Sequence, residues 1–188
     1  VWTDRPALPD TIAYEHEVKY TGLSREDKLQ DIRQFMINLG VQHYFVSALD
    51  EVAWMLNIRA WDIDYTPVAL SYLLIGEQET QWFIQAHKVP ADLKAKLAKS
   101  NIIIKDYQAT GEQLSALPAT DKLYVDKANL SWEFQKLIQA KLVAAESVIM
   151  PKMSLKNETE IEHIKSVMVK DGVALTHFFK WLEEEVQT

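Results

Sequence analysis

Short stretches rich in β-branched and aromatic residues alternate with amphipathic stretches along most of the chain, and this alternation constrains the fold more than any other feature. Strands that alternate with helices of about 10 to 15 residues predict an α/β domain with a helical layer on each face of its sheet. The stretches that favour strands are residues 41–48, 68–75, 80–86, 101–105, 122–125 and 141–149. Gly76 separates the second from the third, which predicts a hairpin and hence a mixed sheet. The expected fold is a three-layer αβα domain.

Capping residues mark the ends of the predicted helices. Ser24 predicts the start of a helix that Gly40 ends, and Ser131 predicts the start of another. Asp50 is expected to cap a short helix that follows the first strand. Two further helices are predicted at residues 90–99 and 111–117, and residues 151–156 are expected to form a linker.

A much longer helix is predicted after Asn157, which can act as its N-cap, with Glu158 and Glu160 favourably placed near the N-terminus. Its apolar residues recur at helical spacing: Ile161, Ile164, Val167, Met168, Ala174, Leu175, Phe178, Phe179, Trp181, Leu182 and Val186. A helix of about 30 residues measures roughly 45 Å, and a small domain does not readily cover so long an apolar face. We therefore expect it to open a further domain that lies downstream.

These patterns divide the chain into three parts. Residues 1–19, which include Pro6 and Pro9, are expected to be an extended inter-domain connector. Residues 20–151 are expected to form the α/β domain, and residues 152–188 the linker and first helix of the absent domain. Trp2, in the connector, is expected to pack either on this domain or on something upstream.

The composition excludes several kinds of partner and site. The chain has 20 basic and 27 acidic side chains, a net charge of −7, which argues against a nucleic-acid partner because such proteins need clustered positive charge. It has no Cys, which rules out disulfide frameworks, thiolate zinc sites and Cys nucleophiles. No apolar run approaches the roughly 18 to 20 residues that span a bilayer. We expect a soluble, cytoplasmic protein.

The motifs of common catalytic centres are missing from the sequence. There is no His-Glu-x-x-His, no Gly-rich phosphate loop and no Gly-x-Ser-x-Gly. Glu160 and His163 have the Glu-x-x-His spacing of carboxylate-bridged metal helices, but those sites need a second copy of the motif. We expect this pair to face solvent or to make intramolecular contacts. We expect no catalytic residue, no metal ligand and no cofactor in this chain.

One group of polar residues stands out just after the predicted helix at residue 50. Arg59 ends an apolar stretch and is followed by Asp62, Asp64 and Tyr65. An Arg in that position can hold a carboxylate by a bidentate contact, or it can pair internally with Asp62 or Asp64 and shape the loop. Trp61 falls in the same irregular stretch, where a bulky aromatic residue is expected to be exposed.

The same stretch resembles a signature of the three-domain Xaa-Pro aminopeptidases (aminopeptidase P). The matching residues are 48–59, 62–63 and 65–72, which read ALDEVAWMLNIR, DI and YTPVALSY. The family usually has a small pair, commonly Gly-Ser, where Ala60 and Trp61 stand here. Residues 2–6, 20–28, 156–161, 171–175 and 181–183 also resemble blocks of that family, in the same order along the chain.

The resemblance implies a function and a division of labour. The family removes the N-terminal residue from peptides with Pro in second position, using two divalent metals, usually manganese, held by a C-terminal "pita-bread" domain. This chain is similar to the middle domain, which is not catalytic and has the ribonuclease-H-like fold of creatinase and prolidase N-terminal domains. Its implied role is to flank the active-site mouth, to restrict substrates to slim peptides and to help assembly. Arg59, Trp61, Asp62 and Tyr65 are the residues expected to face the peptide substrate.

Other interpretations remain open from the residues alone. The chain could be a freestanding binding or scaffold module whose long helix is a docking surface. It could be a metal-dependent nuclease that uses Asp62 and Asp64, because the implied fold is shared with ribonuclease H. The last helix could also drive formation of a homodimer through Phe178, Trp181 and Leu182.

Overall fold

The computed structural model describes residues 2–186, which form eight α-helices and eight β-strands. The strands are β1 (Tyr14–Glu15), β2 (His43–Val46), β3 (Ile58–Arg59), β4 (Tyr72–Gly76), β5 (Thr80–Phe83), β6 (Ile102–Lys105), β7 (Lys122–Asp126) and β8 (Lys141–Ala145). The helices are α1 (Val18–Thr21), α2 (Arg25–Leu39), α3 (Leu49–Leu56), α4 (Ala91–Lys99), α5 (Thr110–Ser115), α6 (Trp132–Leu137), α7 (Ile149–Ser154) and α8 (Glu158–Val186).

Six of the strands form one mixed sheet in the order β6-β5-β4-β2-β7-β8. The predicted hairpin of β4 and β5 is antiparallel, and β4 also pairs antiparallel with β2. The remaining pairs, β5 with β6, β2 with β7 and β7 with β8, are parallel. The prediction of a mixed sheet is therefore confirmed.

Side chains of the central strands alternate between two separate cores, which produces three layers. Along β4, Leu73 and Ile75 point into one core while Leu74 points into the other. The first core is closed by residues of α2, α3 and α4, and the second by residues of α5 and α6. Because both faces of the sheet are covered, most residues of its central strands β2 and β4 are apolar and buried, as the sequence pattern indicated.

Most predicted helix ends are confirmed, and two predictions are wrong. Ser24 and Ser131 accept hydrogen bonds from the amides of Asp27 and Phe134, and Gly40 ends α2 in the left-handed conformation. Asp50 does not cap α3: the N-cap is Ala48, and the Asp50 carboxylate lies inside the first turn and accepts from the Glu51 amide. Residues in that turn still expose free amides, so the acidic side chain is favourable there.

The second wrong prediction concerns residues 151–156, expected to be a linker, where α7 occupies Ile149–Ser154. The hydroxyl of Ser147 accepts hydrogen bonds from the amides of Ile149 and Met150, at 3.1 and 3.2 Å, and so supports the start of this helix. Pro151 is tolerated because it lies in the first turn, where its missing N–H has no partner to lose.

The 29-residue helix α8 leaves the domain with little cover. Its first residues pack on α1, and every residue from 161 to 186 is exposed. The prediction of a long helix with an uncovered apolar face is confirmed for the residues described. None of the helices within residues 2–186 combines the length and apolar composition that crossing a bilayer requires.

Candidate functional site

The polar loop singled out in the sequence follows β3 and covers residues 60–71. A two-stranded ladder holds its start in place, with Tyr14 opposite Arg59 and Glu15 opposite Ile58. Just before β3, Asn57 ends α3 with a φ of 53°, a left-handed conformation that Asn tolerates better than most residues. The chain therefore turns sharply from α3 into the loop, and the connector residues 14 and 15 belong to this structure.

Asp62 anchors the loop inside the protein. Its carboxylate forms an ion pair with Lys88, and neither side chain is exposed at all. The same carboxylate accepts from the Thr11 hydroxyl at 2.5 Å and from the Leu70 amide at 2.7 Å. Lys88 is the last residue of a short 3-10 turn (Ala86–Lys88), so the pair joins segments that are far apart in the sequence.

This position of Asp62 corrects two expectations. A fully buried carboxylate paired with Lys88 does not face a substrate, because no solvent-accessible part of it remains. The nuclease interpretation needed Asp62 and Asp64 at one metal site, whereas Asp64 is exposed and Asp62 is buried. The structure therefore does not support that interpretation.

Arg59 is half-buried, and its guanidinium donates hydrogen bonds to backbone carbonyl groups of its own segment. It donates to the carbonyl oxygens of Ala53 at 3.1 Å and Ile58 at 2.8 Å. The expected internal pair with Asp62 or Asp64 is wrong, since neither carboxylate forms an ion pair with Arg59 within residues 2–186. Burial lowers the pKa of Arg59 below its usual value without removing its charge.

Two aromatic residues are among the exposed residues of the loop. Tyr65 is fully exposed at a φ of 63°, and Trp61 is 57% exposed. Ala60 is completely buried, so a small side chain is required there, while position 61 has room for Trp because it points away from the core. The Trp61 amide donates to the Thr11 hydroxyl at 3.0 Å, which links this exposed residue to the buried Asp62.

A second buried cation, Lys28, lies against the end of α3 and was not predicted. Its ammonium group donates to the Asn57 side chain at 2.6 Å and to the Trp54 carbonyl at 2.9 Å, and it lies 4.1 Å from the Trp54 ring centroid. Burial lowers the pKa of Lys28 to about 8, and the charges of Arg59 and Arg25 act in the same direction. The spacing of Lys28 in the sequence could have indicated its burial, because Lys28 stands four residues before Ile32 and so lies on the apolar face of α2.

No group of three or more His, Asp or Glu side chains in the described part of the chain is arranged to hold a metal ion.

Comparison with known proteins identifies the family. Residues 4–160 match the model of the creatinase/prolidase N-terminal domain. The chain belongs to this family. Its curated relatives include a protein from Leptosphaeria maculans named probable Xaa-Pro aminopeptidase P, 30% identical over 99% of this chain and 32% of the relative. A protein of the same name from Talaromyces stipitatus is 32% identical over 99% of this chain and 30% of the relative.

A solved structure agrees with this assignment. It is the X-prolyl aminopeptidase of Caenorhabditis elegans, described as a cytosolic enzyme with a di-nuclear active site. It matches 98% of this chain with a TM-score of 0.91 and 28% identity, but only 31% of its own length is covered. The expected creatinase/prolidase fold is therefore confirmed, and the chain spans about a third of the length of the relatives it matches.

We predict that Lys28 makes stability rise with pH. The folded-state pKa is about 8 and the ordinary value is 10.5, so between these values the unfolded state binds more protons and stability increases with pH. Between pH 7 and pH 10 this contribution is on the order of 2 kcal/mol and should be absent from Lys28→Met. Urea unfolding at both pH values measures it. Lys94→Met, which removes an exposed lysine from α4, should keep the parent's pH dependence; an equal loss in both variants would contradict the assignment.

We predict strong coupling between Asp62 and Lys88. Lys88→Met alone leaves a buried carboxylate without its counter-charge, which typically costs about 3 to 5 kcal/mol. Asp62→Asn in the same protein removes that charge and keeps an acceptor for the Leu70 amide, so the double variant should be more stable than the Lys88→Met single variant. Unfolding free energies of the four proteins give the coupling energy. Additive losses would show that the two side chains act independently.

Proposed function

We propose that this chain is the non-catalytic domain that precedes the catalytic domain of an Xaa-Pro aminopeptidase, an enzyme that removes the N-terminal residue from peptides with Pro in second position. The observation that carries the proposal is the superposition of nearly the whole chain on about a third of the C. elegans X-prolyl aminopeptidase. Relatives named Xaa-Pro aminopeptidase P support it, because they too extend well beyond the part that this chain matches.

The uncovered face of α8 is consistent with a downstream partner domain. A 29-residue helix with exposed Phe178, Trp181 and Leu182 would bury these side chains against the remainder of the longer polypeptide. That remainder would hold the two divalent metals, which we propose to be manganese. In the 188-residue chain by itself, the same apolar face would pair with a second copy to form a homodimer.

Within this function, we propose that the loop at residues 60–71 forms part of the wall beside the active-site mouth. Trp61 and Tyr65 would contact the peptide, since both rings are exposed. Arg59 and Asp62 would support the loop from below, through the backbone carbonyls and the buried ion pair described above. A rigid wall of this kind would admit slim peptides and exclude folded proteins. The cytosolic relative supports a cytoplasmic location.

The first test uses the chain alone. Supplied with manganese and a peptide with Pro in second position, the purified chain should release no N-terminal residue, because residues 2–186 contain no group of side chains arranged to hold the metals that activate water. The C. elegans X-prolyl aminopeptidase serves as the positive control, and a mock purification measures contaminating host peptidase. Turnover that increases with the amount of this chain would contradict a non-catalytic role.

The second test uses a chimera that carries residues 2–186 in place of the matching third of the L. maculans relative. We expect the chimera to release the residue before Pro, and Trp61→Ala or Tyr65→Ala in it to raise KM by roughly 2- to 10-fold with little change in kcat, as expected for the loss of one aromatic contact. Trp132→Ala removes an exposed tryptophan on α6 and is the matched control. If the loop variants behave like Trp132→Ala, the loop does not contact substrate.

A further inference from the structure

The first two turns of α8 are joined to the domain by unusually specific contacts. Asn157 is the N-cap of α8. Its side-chain oxygen accepts a hydrogen bond from the backbone amide of Glu160 at 3.0 Å, and its backbone amide donates to the Glu160 carboxylate at 3.0 Å. The side-chain amide of Asn157 also donates to the Thr21 carbonyl at 2.7 Å. One side chain therefore both starts α8 and ties it to the end of α1.

Gly22 makes this close approach possible. It ends α1 with a φ of +66°, and a Cβ atom built on it would lie 2.5 Å from the Asn157 Oδ1 atom and 2.9 Å from the Thr159 Cβ atom. Real Cβ atoms do not come so close to other atoms, so any larger residue at position 22 would force the Asn157 side chain and Thr159, at the start of α8, to shift. Gly40 has a similar φ of +69°, but a Cβ there would meet nothing within 4 Å.

Contacts among three rings reinforce the contact one turn further along α8. The Tyr20 ring stacks on the ring of His16 at a centroid distance of 5.5 Å, and the tilted ring of His163 also lies 5.5 Å from it. The Nε2 atom of His163 lies 3.0 Å from the Lys19 carbonyl oxygen, within hydrogen-bond distance. The two residues of the Glu-x-x-His motif thus make contacts within the chain. Glu160 accepts the hydrogen bond from the backbone amide of Asn157, and His163 contacts Lys19 of α1.

Charge supports the same arrangement. Burial lowers the pKa of His16, and the positive charges of Arg59 and Lys28 lower it further, while the carboxylate of Glu160 acts in the opposite direction. Glu160 also favours the charged forms of Lys28 and Arg59. The N-terminal turn of α8 therefore brings a negative charge to a positive region of the domain.

We propose that residues 16–22 and 157–163 form a rigid joint that fixes the direction in which α8 leaves the domain. Lys170 lies 13 residues from Asn157, about 20 Å along the axis of α8. A small change in the direction of α8 at Gly22 therefore moves Lys170 by a larger distance than it moves Asn157. If the proposed function is correct, the joint sets the orientation of the catalytic domain relative to the loop of Trp61 and Tyr65.

The joint can be tested in the 188-residue chain without any enzymatic assay, so its failure would leave the proposed function standing, and the reverse also holds. Because the chain has no Cys, spin labels can be attached specifically at Glu112→Cys on α5 and Lys170→Cys on α8, both exposed. Mixing the labelled protein with an excess of unlabelled protein suppresses the signal from labels on two different copies. Pulsed electron paramagnetic resonance then gives the distribution of distances between the labels.

A rigid joint predicts one narrow distance distribution for the parent. Gly22→Ala should shift it or broaden it by at least about twofold, because a small steric change at the joint is amplified along the helix. Gly40→Ala, strained in the same way but without a neighbour, should leave it unchanged. Tyr20→Leu removes the ring stack without adding bulk and should also broaden it, which keeps the test decisive if Gly22→Ala does not fold. A broad distribution in the parent, or unchanged distributions in Gly22→Ala and Tyr20→Leu, would overturn the proposal.

Discussion

The buried ion pair of Asp62 and Lys88 is the interaction on which the candidate site depends. Removing two charges from water is costly, and the attraction between them offsets that cost only when the remaining polar atoms are also satisfied. Here the carboxylate has further donors in the Thr11 hydroxyl and the Leu70 amide, while the backbone of Lys88 accepts from the Ala13 amide at 2.8 Å. Three segments distant in the sequence converge on one pair of charges. Two hydrogen bonds link the exposed Trp61 to this ion pair: the Trp61 amide donates to the Thr11 hydroxyl, which donates to the Asp62 carboxylate.

The layered fold could be predicted from the sequence because short runs of β-branched and aromatic residues and the helical spacing of apolar residues are local properties of a chain. Ser24, Gly40, Ser131 and Asn157 carry capping information in the same local way, and the structure confirms each of them. Interactions between distant segments leave no such trace. Nothing near Asp62 in the sequence indicates that its partner stands 26 residues later in a 3-10 turn. The expected pairing of Arg59 with a nearby aspartate failed for the same reason, since proximity in sequence was the only guide.

This chain belongs to the creatinase/prolidase N-terminal domain family, and the solved X-prolyl aminopeptidase that it resembles extends well beyond the part that matches. Its own residues suit a supporting role: they build a rigid scaffold, display two aromatic rings on an anchored loop and hold a long helix by its first turns. Under the proposed function, the positions of loops and helices in this scaffold would determine which molecules reach the reacting groups. The physical requirements on these residues are rigidity and shape.

The contact between Gly22 and Asn157 has an evolutionary consequence. The Asn157 side chain and the Thr159 Cβ atom occupy the space that a side chain at position 22 would need. A homologous chain with a larger residue at position 22 would therefore need changes at 157 and 159, and with them a different start to the long helix. A substitution at position 22 is expected to be accompanied by substitutions at the start of α8, although the two segments are far apart in the sequence.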